Sequence, residues 1–162
     1  FKNSTSGDIN IAANAIISAK YPHCFMGITN HGIPAICETE GNSDCHIILR
    51  GSNSGPNYNE SDIKKTKEVL LKNNAKQSIV VDCSHGNSMK NHKNQKNVLR
   101  NIILQRLNGN KDIVGCMIES NLLEGKQKLD DPLNLEYGIS ITDGCIGLDE
   151  TETLLKEIHS VL

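Results

Sequence analysis

Apolar positions along the chain follow two rhythms, a helical stripe and a short unbroken run, and their alternation outlines the elements. Ile9, Ala12, Ala13, Ile16 and Ile17 fall on one face behind Asp8, a capping residue, so the spacing predicts a helix over residues 9–20, ending before Pro22. Residues 24–29 and 33–39 flank Asn30-His31-Gly32 and read as a hairpin. HIILRG, residues 46–51, is a short apolar run that stops at Arg50. After a polar loop, residues 62–73 read as a helix with Ile63, Val69 and Leu70 inward, and SIVVDCS follows as a strand.

Residues 89–107 read as one long polar helix. Val98, Leu99, Ile102, Ile103 and Leu107 form its stripe, and Gly109 suits its stop. IVGCMIES, residues 113–120, is the next strand. Residues 121–147 lack a strong period and read as a long functional loop. Asp149 with Glu152 resembles a capping box opening a last helix over residues 150–161. The runs IILR, IVVDC and IVGCMIE are apolar at successive positions, the mark of strands covered by helices in a parallel sheet. No repeat or linker divides residues 1–162, so one structural unit of α/β class is expected.

Composition narrows the class. The 162 residues suffice for a real core, and 37% hydrophobic with 22% charged residues is the balance of a soluble globular protein. A net charge of −2 gives no reason to expect nucleic acid or an anionic membrane as partner. No apolar segment is long enough to span a bilayer and no signal-peptide pattern is visible. The six cysteines form no CxxC and several sit in apolar runs, which fits reduced core thiols and a cytoplasmic setting. The chain opens on FKNSTSG without an initiating Met, so a fragment is expected.

Candidate chemistry lies where the strands end. Arg50, His85 after Asp82, and Glu119 each close an apolar run, and Lys2 would close a strand lying mostly before Phe1. In parallel α/β folds ligands bind at the carboxyl ends of strands, so these residues would converge, with Asp143 in the long loop beyond. His, Glu and Asp supply nitrogen and oxygen donors for Mn2+, Fe2+, Co2+ or Zn2+. Arg and Lys beside them suit a substrate bearing phosphate and carboxylate. A metal next to phosphate-binding cations points to Lewis-acid activation of a carbonyl in a phosphorylated substrate.

Taken singly, each residue has a plainer reading. His85 could be a hydrogen-bonded structural residue, Glu119 a turn cap or ion-pair partner, Asp143 in ITDG a turn residue, and Arg50 an ordinary ion-pair former. His23, His31, His46, His92 and His159 have no ligand spacing and read as structural or solvated. Strand alternation turns Cys83 away from the face of Asp82 and Ser84, so a core thiol is expected there rather than a nucleophile or ligand.

FKNSTSG, PHCF, GNSDCHIILRG, PNY, DCSHGNSMK, GCMIES, EGKQ and YGISITDGCIG resemble, in order and spacing, the carboxyl-terminal half of class I 3-deoxy-D-arabino-heptulosonate-7-phosphate (DAHP) synthases. The resemblance runs from Phe1 to the end of the chain. It implies a (β/α)8 TIM barrel, of which residues 1–162 carry about the C-terminal half, strands five to eight with an inserted β-hairpin. It implies the metal-dependent condensation of phosphoenolpyruvate with D-erythrose 4-phosphate, first step of the shikimate pathway. In that reaction the metal polarises the aldehyde oxygen for attack by phosphoenolpyruvate C3, after which water adds at C2 and phosphate leaves.

By resemblance, His85, Glu119 and Asp143 match three of the family's four metal ligands, and Lys2 and Arg50 match residues that hold phosphoenolpyruvate. The fourth ligand is a cysteine on the first barrel strand, which these residues do not contain, nor do they hold the earlier Arg and Lys groups that bind erythrose 4-phosphate. Leu148 and Ile139 depart from the family's usual Trp and polar residue. An aromatic amino acid effector and a homo-oligomer when full length are implied as well, and residues 1–162 alone are expected to be inactive. Two other readings stand beside this one. One is a non-catalytic remnant or regulatory half-barrel that binds metal or phosphate without turnover. The other is a small open-sheet metal-dependent hydrolase.

Overall fold

The computed structural model describes all of residues 1–162. Helix α1, Ile9–Lys20, begins where Asp8 accepts a hydrogen bond from the Asn10 backbone N–H, so the capping residue expected from sequence is the one used. Strands β1, His23–Ile28, and β2, Pro34–Thr39, pair antiparallel as the expected hairpin. Then come β3, Ile47–Leu49, α2, Glu60–Lys72, β4, Ile79–Asp82, α3, Gln95–Leu107, β5, Ile113–Met117, and α4, Leu148–Val161.

Strands β3, β4 and β5 form a parallel three-stranded sheet in chain order. Parallel bridges Lys2↔Ile48 and Ser120↔Ile146 continue the series on either side, so the start of the chain and the segment before α4 flank the sheet. Alternation places Ile47, Leu49, Ile79, Val81 and Cys83 on one face, and each is fully buried. Against that face pack Ala12, Ala13 and Ile16 of α1, Ile63 and Leu70 of α2, Val98, Leu99 and Ile102 of α3, and Leu154 of α4, in one core. Burying a full aliphatic side chain here stabilises by about 1.5–3 kcal/mol, so this layer carries most of the fold's driving force.

The other sheet face is less covered. Val114 and Met117 of β5 are 55% and 38% exposed, so the unbroken apolar runs are shielded by helices on one side only. The hairpin is open too, with Met26, Ile28 and Ile36 at least 70% exposed. No helix is long and apolar enough to cross a membrane.

Three expected helix starts move, that of α2 only from residue 62 to Glu60. The helix expected from residue 89 begins at Gln95, after a 3-10 turn at His92–Asn94. Met89 and Lys90 have φ of +54° and +61°, left-handed values that cannot extend a right-handed helix. The last helix begins at Leu148 behind Gly147, and no side chain caps it, so the Asp149–Glu152 capping box does not form. Its first turn still carries Asp149 and Glu150, whose charge favours a helix N-terminus. All six cysteines are free, but only Cys83 and Cys145 are buried, fewer than the apolar runs suggested.

Candidate metal and phosphate site

At Asp82 the chain leaves β4 and turns sharply. His85 takes φ +51°, a value that histidine tolerates better than most residues, and this swings its ring onto the rim at the carboxyl end of the sheet. Asn87 locks the turn from beneath. Its buried amide donates to the Leu49 carbonyl at 3.0 Å and the Asp82 carbonyl at 2.8 Å, while its oxygen accepts from the Asn57 N–H at 2.9 Å. Asn3, equally buried, accepts from the Arg50 N–H at 2.9 Å and donates to the Gly51 carbonyl at 2.9 Å. Gly51 has φ +77°, and a Cβ there would lie 2.4 Å from the Gly86 backbone. The β3 and β4 turns therefore touch backbone to backbone, and only glycine permits it.

Asn87→Ala removes the two hydrogen bonds it donates to buried carbonyls and the one it accepts from Asn57, each worth about 0.5–1.5 kcal/mol. The expected result is a clearly lower denaturant midpoint, measured by chemical unfolding, and an unchanged midpoint would show that the turn is held otherwise.

Asp82, 1% exposed, organises the rim. It accepts from Lys2 Nζ at 2.6 Å and from both the backbone and hydroxyl of Ser84, and His85 Nδ1 lies 2.9 Å from its Oδ2. Burial pushes its carboxyl up, but the hydrogen bonds from Lys2 and Ser84 and the Lys2 charge outweigh this and hold it below its ordinary value. With its hydroxyl proton given to Asp82, Ser84 Oγ accepts from His85 Nδ1 at 2.7 Å, which leaves Nε2 as a free lone pair. Nε2 faces Glu119 Oε1 at 3.5 Å and Asp143 Oδ2 at 3.8 Å.

One donor atom from each of His85, Glu119 and Asp143 lies within 4.8 Å of the other two. One nitrogen and two carboxylate oxygens at this spacing, with the imidazole oriented by a buried carboxylate, fit a divalent transition metal. Burial raises the Glu119 carboxyl above its ordinary value. His85 opposes the rise, and the charges of Asp143 and Asp82 add to it.

The triad borders a cleft of about 500 Å3 that Arg50, Lys90 and Lys126 also line. None of these three cations has an ion-pair partner, whereas Lys2 is committed to Asp82 and lies outside the cleft lining. Sequence reasoning had singled out Arg50 but neither Lys90 nor Lys126, although both sit in the motifs DCSHGNSMK and EGKQ. It also missed Gln95. That side chain, fully buried, donates to the Glu119 carbonyl at 3.0 Å and accepts from the Glu119 N–H at 2.8 Å, gripping the backbone of one triad member. The only hint was a polar residue at the start of a helix whose stripe begins three residues later. Cys83 is buried as expected, and burial, with Cys116 and Asp82 adding to it, pushes its thiol far up, leaving it unfit as nucleophile or ligand.

A sequence profile described as the DAHP synthetase I family matches residues 1–156. The chain belongs to this family. It is 48% identical over 160 residues to the phospho-2-dehydro-3-deoxyheptonate aldolase AMT16 of Alternaria alternata, covering 98% of this chain and 43% of that protein. To the Phe-sensitive phospho-2-dehydro-3-deoxyheptonate aldolase of Escherichia coli K12 it is 45% identical over 162 residues, covering 100% and 46%. A solved phospho-2-dehydro-3-deoxyheptonate aldolase from Francisella tularensis SCHU S4 superposes with a TM-score of 0.93 at 42% identity, covering 99% of this chain and 47% of the other. The chain thus spans about half the length of these relatives, and its α/β fold is that of the matching half.

The raised Glu119 carboxyl gives this DAHP synthetase I chain a predictable pH response. A proton competes with a cation for that oxygen, so divalent-metal affinity is expected to fall as pH drops from neutral to mildly acidic, with proton release on binding. Calorimetric titration in buffers of different ionisation enthalpy measures the released proton, and a pH-independent affinity would remove Glu119 from the ligand set.

Proposed function

We propose that residues 1–162 form the C-terminal half of a single (β/α)8 barrel catalytic domain, and that the whole protein is a metal-dependent DAHP synthase. It joins phosphoenolpyruvate to D-erythrose 4-phosphate and water, giving 3-deoxy-D-arabino-heptulosonate 7-phosphate and phosphate. The observation that carries this reading is the His85–Glu119–Asp143 triad opening onto a cleft with unpaired Arg50. Family membership and the names of the relatives support the reaction, and they do not favour a remnant that binds without turnover. The barrel is supported by parallel pairing that runs in chain order from Lys2 through β3, β4 and β5 to Ile146. It also accounts for the exposed apolar face of β5, which barrel closure would fill.

His85, Glu119 and Asp143 would hold Mn2+, Fe2+, Co2+ or Zn2+, with a fourth ligand from outside these residues. Bound there, the metal supplies Lewis acidity toward a carbonyl oxygen. The chain's own groups do the rest. Arg50 offers a forked guanidinium to the phosphate of phosphoenolpyruvate. Lys2, with one donor engaged by Asp82, has two left to direct at the same anion. Asp82 holds the Lys2 ammonium and Ser84 Oγ holds the His85 ring, so the site is preorganised before substrate arrives. The Phe-sensitive name of one relative supports an aromatic amino acid effector for the whole protein. A homo-oligomer in the cytoplasm completes the reading.

The test is a steady-state assay of the whole natural protein, following phosphate release with both substrates and each candidate metal. Release that needs neither erythrose 4-phosphate nor a metal would sink the proposal. Arg50→Ala is expected to raise the KM for phosphoenolpyruvate roughly tenfold or more, the loss of one charge-assisted contact of about 1.5–3 kcal/mol, with a smaller effect on kcat. An unaltered KM would count against its role. Residues 1–162 assayed alone are expected to show no turnover.

A further inference from the structure

The three triad members are not held alike. His85 is gripped by Ser84 with Asp82 beside it, and the Glu119 backbone by Gln95. The side chain of Asp143 is 65% exposed and accepts no hydrogen bond, so its place depends on its backbone. That backbone meets His92. The imidazole lies so close over Gly144 that a Cβ there would sit 2.7 Å from His92 Nδ1 and 3.4 Å from Cγ. On its other side, His92 Nε2 donates to Glu124 Oε1 at 2.9 Å, and Lys93 Nζ reaches the same oxygen at 3.1 Å. Residue 125 is tied in turn to residue 145, by Gly125 N–H to Cys145 carbonyl at 2.9 Å and Cys145 N–H to Gly125 carbonyl at 3.1 Å. These links close a ring from His92 through Glu124 and Cys145 back to Gly144.

The ring is anchored to His85. Between the two histidines the chain makes a tight turn, with Lys90 N–H to the His85 carbonyl at 2.8 Å and Asn91 N–H to the Ser88 carbonyl at 3.1 Å. The Asn91 side chain then caps the 3-10 turn that carries His92. We infer that His92, acting through Glu124 and by direct packing on Gly144, is a positioning residue that sets the Asp143 loop at coordinating distance from His85. Gln95, one helical turn later, does the same for Glu119. The hydrogen bond from His92, then that from Lys93, holds the Glu124 carboxyl below its ordinary value, so the acceptor is ionised at neutral pH. The inference rests on the reading of the triad as a metal site, but the brace itself is made of protein contacts alone.

The experiment compares the whole natural protein with its His92→Ala and His92→Gln variants. Gln can place an amide nitrogen near the position of imidazole Nε2. Two readouts are taken, amide hydrogen exchange at Gly125 and Cys145 without metal, and Co2+ titration followed by the visible absorption of the bound ion. His92→Ala is expected to speed exchange at these two hydrogen-bonded amides, to weaken Co2+ binding about tenfold or more, and to change the Co2+ band, and His92→Gln to recover most of each loss. Unchanged exchange in His92→Ala would overturn the brace. So would an unchanged Co2+ affinity and band. If the unaltered protein binds no Co2+ while exchange responds as expected, the brace stands and the metal reading of the triad fails.

Discussion

His85→Ala in the whole protein is expected to abolish metal-dependent turnover and to leave the fold in place. The ring supplies the only nitrogen of the triad, and its Nε2 lies 3.5 Å and 3.8 Å from the two carboxylates. Without it, Glu119 and Asp143 are two like charges with nothing between them. Metal affinity should fall by more than the roughly 100-fold that outer-shell changes can cost. Stability should change little, because the side chain is on the rim and 20% exposed. Placing Ala at φ +51° adds a backbone cost of about 1 kcal/mol, so His85→Asn, which tolerates that region, is the better control. Equilibrium dialysis gives the affinity and thermal unfolding the fold. Retained activity with unchanged metal affinity would refute the ligand role.

Asp82→Asn should damage both site and fold. A neutral amide has one oxygen for three donors, and it removes the charge beside Lys2 and His85 and the acceptor that orients the Ser84 hydroxyl under His85 Nδ1. Loss of such an outer partner typically costs 10–100-fold in metal affinity, and that range is expected here. The stability effect depends on pH in a definite direction. Asp82 titrates below its ordinary value in the folded chain, so its contribution is present above the unfolded carboxylate range and is lost as pH falls through the lower folded value. The variant should therefore be less stable than the parent at neutral pH, with the gap closing on acidification. Denaturant midpoints across that range measure it, and a gap that widens as pH falls would contradict the ion-pair account.

Much of the fold could be read from the chain. Helix α1, the hairpin, β3, β4 and α2 lie where the apolar rhythm places them, because burying one face of a helix or strand is a local requirement written into neighbouring residues. What failed was local as well, but concealed. Met89 and Lys90 sit in a sequence with helical spacing and adopt left-handed φ, since the turn after His85 is fastened by Asn87 and Ser88 to partners outside the helix. The Asp149–Glu152 capping box gave way to a start at Leu148, two residues earlier than the box would set it.

The site divides in the same way. The sequence by itself determined that Arg50, His85 and Glu119 end apolar runs, and a parallel sheet must bring such ends to one rim. Only the tertiary structure decided which nitrogen of His85 is free, that Lys2 is tied to Asp82, and that Gln95 and His92 hold the loops of the two carboxylates. The reason is physical. Periodicity records which face of an element is buried, whereas a hydrogen bond between residues far apart in sequence depends on sheet register and turn conformation, which no single segment specifies.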